Sequence, residues 1–305
     1  MKKTISILLI FLLLLAMLLH PLLTVKAAAD GLSLWYTKIL PALLPFAILA
    51  DVLIGSNGFY LLVRFFYPLI RLLLPVSREG AFPLLAGFTF GFPMGSRICA
   101  RMVNENLLDL DEASIIFIIS NNISPIFITS YIVHEQLKLD ALLPVTILLL
   151  YLPPLIYGRI MFLHMHRKNW QKESASRLKI NFSIIDAGIL NGFEILCKLG
   201  GYIMLFSILT RLLWYYCTQN ILQLMLTAPL EITNGIAILT AFVHPQQLCY
   251  ALVIALTSLG GICGIAQTLS MVSATALPMK RYILVKALLA LCSGILAYLL
   301  FPLHI

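Results

Sequence analysis

Polar and helix-breaking residues stand inside apolar stretches of this chain, and that placement limits what it can fold into. The clearest case reads Gly87-Phe-Thr-Phe-Gly91-Phe-Pro93-Met-Gly95-Ser96-Arg97. A charged segment follows, then an apolar run interrupted by Asn121-Asn122-Ile-Ser124-Pro125. Hydrocarbon offers no water to a backbone N–H or C=O released by a break, so such segments survive only where protein or a water-filled cavity covers them. The stretch therefore reads as half of a membrane-buried site, and the rest of the chain as its support.

The bilayer assignment rests on composition. Of 305 residues, 61% are hydrophobic and 11% charged, with mean hydropathy +0.97. A soluble domain is about a quarter charged, and apolar runs here repeatedly reach the roughly 20 residues that cross a membrane. The fold class is all-α and integral to the membrane, with several spans. Net charge is +8, from 21 Lys and Arg against 13 Asp and Glu. No soluble module is present to offer that charge to nucleic acid, so cytoplasmic retention of basic loops accounts for it. The 6 cysteines stand singly in apolar segments, without the paired spacing of a disulfide framework or a zinc site. No nucleophile elbow, P-loop, HExxH or catalytic carboxylate pair is found, so no enzyme is expected.

In chain order, residues 1–30 form a signal anchor, or a signal peptide cleaved after Ala27-Ala28-Ala29. Either one puts residue 30 outside. Residues 31–165 make a first unit. It comprises a span over Trp35–Ile54, a helix at 59–74 lying in the interface with Arg64 and Arg71 on one face, and a re-entrant half-segment Ala81–Phe92. A broken span, Glu112–Val133, and a return span, Ala141–Met165, complete it. Residues 166–192 form a basic cytoplasmic linker. Residues 193–305 repeat the order: span, short segment broken at Pro229–Gly235, span broken at Thr257–Gly261, last span.

The halves align directly. Lys38, Phe46, Ile48, Leu49 and Leu53 match Lys198, Phe206, Ile208, Leu209 and Leu213 at an offset of 160. Pro93 matches Pro229, and Asn121–Pro125 matches Thr257–Gly261, at 136. The first unit starts outside and the second inside, which predicts two inverted-topology repeats with re-entrant hairpins and broken transmembrane helices. That pattern is the strongest sequence pointer to a secondary transporter with a midplane site.

Four interruptions supply the candidate substrate-binding residues. Pro93, Gly95, Ser96 and Arg97 open a helix N-terminus suited to an anion, with Ser96 as a cap and Arg97 as a fork for carboxylate. Arg97 equally fits an arginine snorkelling at a helix end. Asn121, Asn122 and Ser124 can bind substrate or a cation, or bond between helices. Glu231, Thr233 and Asn234 occupy the matching place in the second half. There a carboxylate must be paired, wet or protonated, and Glu231 is expected to take a coupling Na⁺ or H⁺ or to pair with Arg97. Ser258, Gly260, Gly261 and Gln267 complete the set. No metal site or cofactor is expected beyond that coupling ion. The partners are a small-molecule substrate and the lipid bilayer, with a homo-oligomer left open.

Several motifs resemble the sporulation integral membrane protein family of the YlbJ type. They are Trp35…Pro41-Ala-Leu-Leu-Pro45-Phe46, Tyr67-Pro68-Leu-Ile-Arg71, Gly91-Phe-Pro93-Met-Gly95-Ser-Arg97, Asn121-Asn122-x-Ser124-Pro125 and Pro229-Leu-Glu231-Ile-Thr233-Asn-Gly235. That family is placed in the nucleoside-recognition Gate domain group, related to concentrative nucleoside transporters. The resemblance implies hairpin tips that meet at the site, and a bacterial cell membrane, the outer forespore membrane in particular. It further implies movement of a small anionic metabolite, dipicolinic acid, during sporulation. Its other branch implies nucleosides, and a non-transporting membrane scaffold in spore-envelope assembly is the remaining expectation.

Overall fold

The computed structural model describes residues 2–165, 178, 181–217 and 220–301, all helix and connection with no strand among them. The order opens with α1 (Lys2–Leu19), α2 (Pro21–Leu34), one π-helical turn and α3 (Leu40–Gly55). Next come α4 (Phe59–Leu73), α5 (Arg78–Phe90), α6 (Met94–Asn104), α7 (Leu110–Ser120) and the short α8 (Pro125–Phe127). α8 runs on as a π-helix, Ile128–Leu137, toward α9 (Leu143–His164). The second half holds α10 (Phe182–Tyr216), α11 (Asn220–Thr227), α12 (Ile232–Phe242), α13 (Gln246–Leu259), α14 (Gly261–Val272) and α15 (Met279–Leu300). Among the described residues, 6 helical stretches are long and apolar enough to cross a membrane. Their outward faces carry the apolar side chains lipid requires. On α15, Leu284, Leu288, Leu291, Ile295 and Leu299 are exposed, whereas Tyr282, Lys286, Leu289 and Ser293 are buried.

Element lengths reveal the duplication. Pro21–Gly55 and Phe182–Tyr216 are each 35 residues and stand 161 apart at both ends (182 − 21, 216 − 55), one more than the sequence alignment gave. α6 and α12 are each 11 residues, 138 apart (232 − 94). α9 and α15 are each 22 residues, 136 apart (279 − 143). The two long helices pack antiparallel, and equivalent positions make contacts that correspond to within two residues. A Cβ on Gly31 would stand 2.8 Å from Ser207 Oγ, and one on Gly192, its counterpart 161 residues on, 2.9 Å from Ile48 Cγ1. Mutual contact of this kind is what a two-fold relation between the halves requires, and the reversed direction makes the repeats inverted.

Two boundaries differ from the sequence reading. The helix from Pro21 runs unbroken through residue 30, and Ala27 packs within it against Ile208 and Leu212. α10 starts at Phe182, with Asn181 Oδ1 accepting from Ile184 N at 2.9 Å, so the last eleven residues assigned to the 166–192 linker are already helix. Most of the remaining linker lies outside the described residues.

α4 bends 89° into α5 and exposes Leu61, Phe65, Leu69 and Leu72, the form of a helix lying on a membrane surface. α5 and α6 form a hairpin whose tip is Gly91–Pro93, with a cis Phe92–Pro93 bond. Gly91 adopts φ +82° there, a region open to glycine at little steric cost. The sequence places Gly87, Gly91 and Gly95 on one helical face. The tip divides that face, and Gly87 and Gly95 straddle the end of α7 from opposite arms. Their added Cβ atoms would lie 2.0 and 2.5 Å from the Ser120 carbonyl oxygen.

That approach is testable. Gly87→Ala should lower the thermal midpoint of the detergent-purified protein by several degrees, since backbone must move. Gly201→Ala, with nothing within 4 Å of the new methyl, should raise stability by about 1 kcal/mol through helix propensity alone. Equal midpoints for the two variants would remove the packing argument.

Candidate functional site

The four interruptions meet near the centre of the fold. At the first hairpin tip, Phe92 N donates to Asn122 O at 2.6 Å, joining the tip to the break after α7. At the second, Ile262 N donates to Pro229 O and Cys263 N to Leu230 O, both at 2.8 Å. Each tip is thus bonded to the break of its own repeat. Between repeats, the Phe92 ring sits where a Cβ on Gly264 would be 2.9 Å away. Tyr131 OH donates to Thr233 O at 2.9 Å, and Asn121 Nδ2 to Thr268 Oγ1 at 2.9 Å.

Around the first break lies a buried polar cluster. Asn121 Nδ2 also donates to Tyr282 OH at 2.6 Å, and Asn122 Nδ2 donates to Ile119 O at 2.6 Å. Lys286 Nζ donates to Asn121 O at 3.0 Å and lies 3.3 Å from Asn122 Oδ1. Ser124 caps α8, accepting from Phe127 N at 3.3 Å. Around the second break, Gly260 and Gly261 hold φ of +84° and +69°. Glu231 caps α12: its Oε1 accepts from Thr233 N at 3.1 Å and its Oε2 from Asn234 N at 2.8 Å. A carboxylate on the second and third N–H groups of a helix is satisfied by hydrogen bonds and by the positive end of the dipole.

Several expected roles are corrected. Glu231 does not pair with Arg97; it is occupied by its own helix. Arg97 forms a buried ion pair with Asp51 of α3 through Nη2, and Arg101 reaches the same carboxylate at 2.5 Å. With Asp51 side chain 2% exposed and Arg97 8%, the arginine is an internal counter-ion and not a free fork for substrate. Ser96 does not cap α6, because its hydroxyl donates back to Pro93 O at 2.8 Å. Gly95 serves the close approach to Ser120. Gln267 Nε2 turns to Cys263 Sγ of its own helix at 3.2 Å. Ser258 is buried within α13, before the break.

Sequence reasoning missed Asp51, Lys286, Tyr282 and Thr268. The first two carried a signal: each is an ionisable residue inside a stretch of crossing length, which by default marks a functional or paired position.

A cavity of about 520 Å³ opens between α2, α10 and α12. Asp30, Ser207, Thr210, Arg211, Trp214, Thr233 and Asn234 supply its polar and aromatic lining. Asp30 and Arg211 face each other at 3.5 Å, with side chains 60% and 43% exposed, so this pair is longer and more open than that of Asp51 with Arg97. The volume suits a small metabolite. In the first repeat Asp51 holds Arg97 and Arg101 between α3 and α6; their counterparts Leu212, Gly235 and Leu239 adjoin the lining residues Arg211 and Asn234 without lining the cavity themselves.

Together these features define a multi-pass α-helical membrane protein built from a duplicated unit of re-entrant hairpin and broken helix. Over 253 residues, 75% of its length, the chain is 29% identical to the sporulation integral membrane protein YlbJ of Bacillus subtilis (strain 168). This similarity supports the YlbJ-type resemblance carried by the motifs. The matched stretch covers 59% of that relative. No family model matches the chain, and no solved structure matches it.

Removing one partner of a buried pair strands the other charge, at a cost of about 3–5 kcal/mol. Asp51→Asn should therefore sharply lower the thermal midpoint. Asp51→Leu combined with Arg97→Met should recover much of that loss, as read by thermal unfolding in detergent. A double variant as unstable as the single would show that charge pairing is not what holds α6 to α3.

Proposed function

We propose that the chain is a secondary transporter of a small anionic metabolite acting in bacterial sporulation, with the outer forespore membrane as its place of action. The observation that carries this reading is an asymmetry between equivalent places in an inverted duplication. Beside α12 a cavity is open to the long helices; α6, its counterpart, is tied to α3 by a buried ion pair. Alternating access works by exchanging two such states about a fixed centre. In that exchange α12 closes on α2 and α10 while α6 parts from α3, and the bonded tips and breaks stay at the centre.

Arg211 takes the role first expected of Arg97. In this reading the cavity is filled with water, the half-exposed bond to Asp30 is worth little, and a substrate carboxylate can replace Asp30 at low cost. Dipicolinic acid, implied by the family resemblance, is the first substrate to test. A nucleoside-type ligand is the second reading, favoured by the neutral hydrogen-bonding lining of Ser207, Thr210, Thr233 and Asn234 beside the Trp214 ring.

Uptake into proteoliposomes separates the two. If the anion reading holds, dipicolinate flux exceeds that of any nucleoside, and Arg211→Gln lowers it about tenfold, equivalent to ~1.4 kcal/mol. If nucleosides move instead, Arg211→Gln has little effect and Asn234→Ala a large one. Folded protein that moves neither would overturn the transporter reading.

A further inference from the structure

Lys286 lies on the inward face of α15, 3% exposed, and among the described residues no carboxylate pairs with it. An ammonium ion so placed is costly unless other groups replace its water. The replacements here are oxygens of the first broken helix: Asn121 O at 3.0 Å and Asn122 Oδ1 at 3.3 Å. Both residues directly follow Ser120, the C-terminal end of α7, where the helix dipole is negative. Asn121 Oδ1 is buried and has no hydrogen-bond partner, so the cluster holds an acceptor in excess. Neutral oxygens from unwound backbone and an amide, at the negative end of a half-helix, are the donor set that broken transporter helices present to alkali cations.

The second repeat supplies an internal control. At the offset of 136, Asn121 and Asn122 correspond to Thr257 and Ser258, which lie inside α13 and not in unwound backbone. The position equivalent to Lys286 at the α9–α15 offset of 136 is Leu150. Among the described residues, Lys286 is the one donor seen on Asn121 O and Asn122 Oδ1, while Asn122 O is taken by Phe92 N.

We propose that the ammonium group of Lys286 permanently occupies an alkali-cation seat in the first broken helix, a tethered replacement for a bound sodium ion. The wild-type protein then needs no sodium at this place, and removing the side chain exposes a sodium site. The inference draws on the transporter reading only in giving the seat a coupling role. Its test reads ion-dependent stability and not flux, so the two can fail separately.

The full-length purified protein is melted in sodium chloride and in choline chloride at equal ionic strength. The wild-type midpoint should be the same in both. Lys286→Ala should melt higher in sodium, with a saturable dependence on its concentration, and adding Asn122→Ala should abolish that response. Lys286→Met, closer in volume, is run in parallel in case the smaller residue prevents folding. Saturable sodium stabilisation of the wild type would overturn the proposal, as would Lys286 variants that fold yet ignore sodium. Failure to recover either variant folded in either salt also counts against it, because a vacated seat should be refilled by sodium.

Discussion

The whole arrangement depends on how backbone groups released inside a membrane find partners. An unmade hydrogen bond in hydrocarbon costs several kcal/mol, and this chain breaks its helices in four places. It answers each break with another. The N–H of Phe92 meets the carbonyl of Asn122, and those of Ile262 and Cys263 meet Pro229 and Leu230. These bonds tie each hairpin tip to the broken helix of its own repeat. Contacts between the repeats run through side chains, as in Asn121 with Thr268 and Tyr131 with Thr233. Side-chain contacts are far cheaper to exchange than buried backbone pairs, so movement between the repeats is easier than movement within one.

Much of this was legible because the interruptions are written in residue types that cannot hide. Pro93, the paired asparagines and the paired glycines stand out in apolar runs, and their order shows the duplication. The alignment was off by one at the long helices because apolar segments match each other at many registers. What each ionisable residue would touch was not legible. Asp51 lies 46 positions before Arg97, and their meeting depends on which face α3 turns to α6, a product of packing and not of local pattern. Lys286 lies inside the last span, and which groups it meets is decided in the same way by packing. Ser96 and Gln267 satisfied themselves on their own helices, an outcome always open to short polar side chains.

The duplication is close in backbone and unequal in charge. Asp51, Arg97 and Arg101 have as counterparts Leu212, Gly235 and Leu239 at the measured offsets. The second repeat therefore cannot build the ion pair that holds α6 against α3. α12 leans instead on its own hairpin partner: a Cβ on Gly235 would lie 2.1 Å from Ala228 O. Among the described residues, the charges facing each other across the cavity are Asp30 and Arg211, both partly exposed.

On the proposed transporter reading, that inequality sets which side is closed at rest. A buried pair is not a large net gain over an apolar contact, yet parting it with no replacement partner is expensive. Opening beside α6 must therefore wait until water or a ligand reaches Asp51, whereas the cavity beside α12 has no such bond to break. Two halves with one backbone plan acquire different resting states through three substitutions, none of which alters a helix length. A symmetric pair of latches would leave the protein indifferent between its two states. A single latch gives it a default, and the work of leaving that default falls to whatever binds in the open cavity.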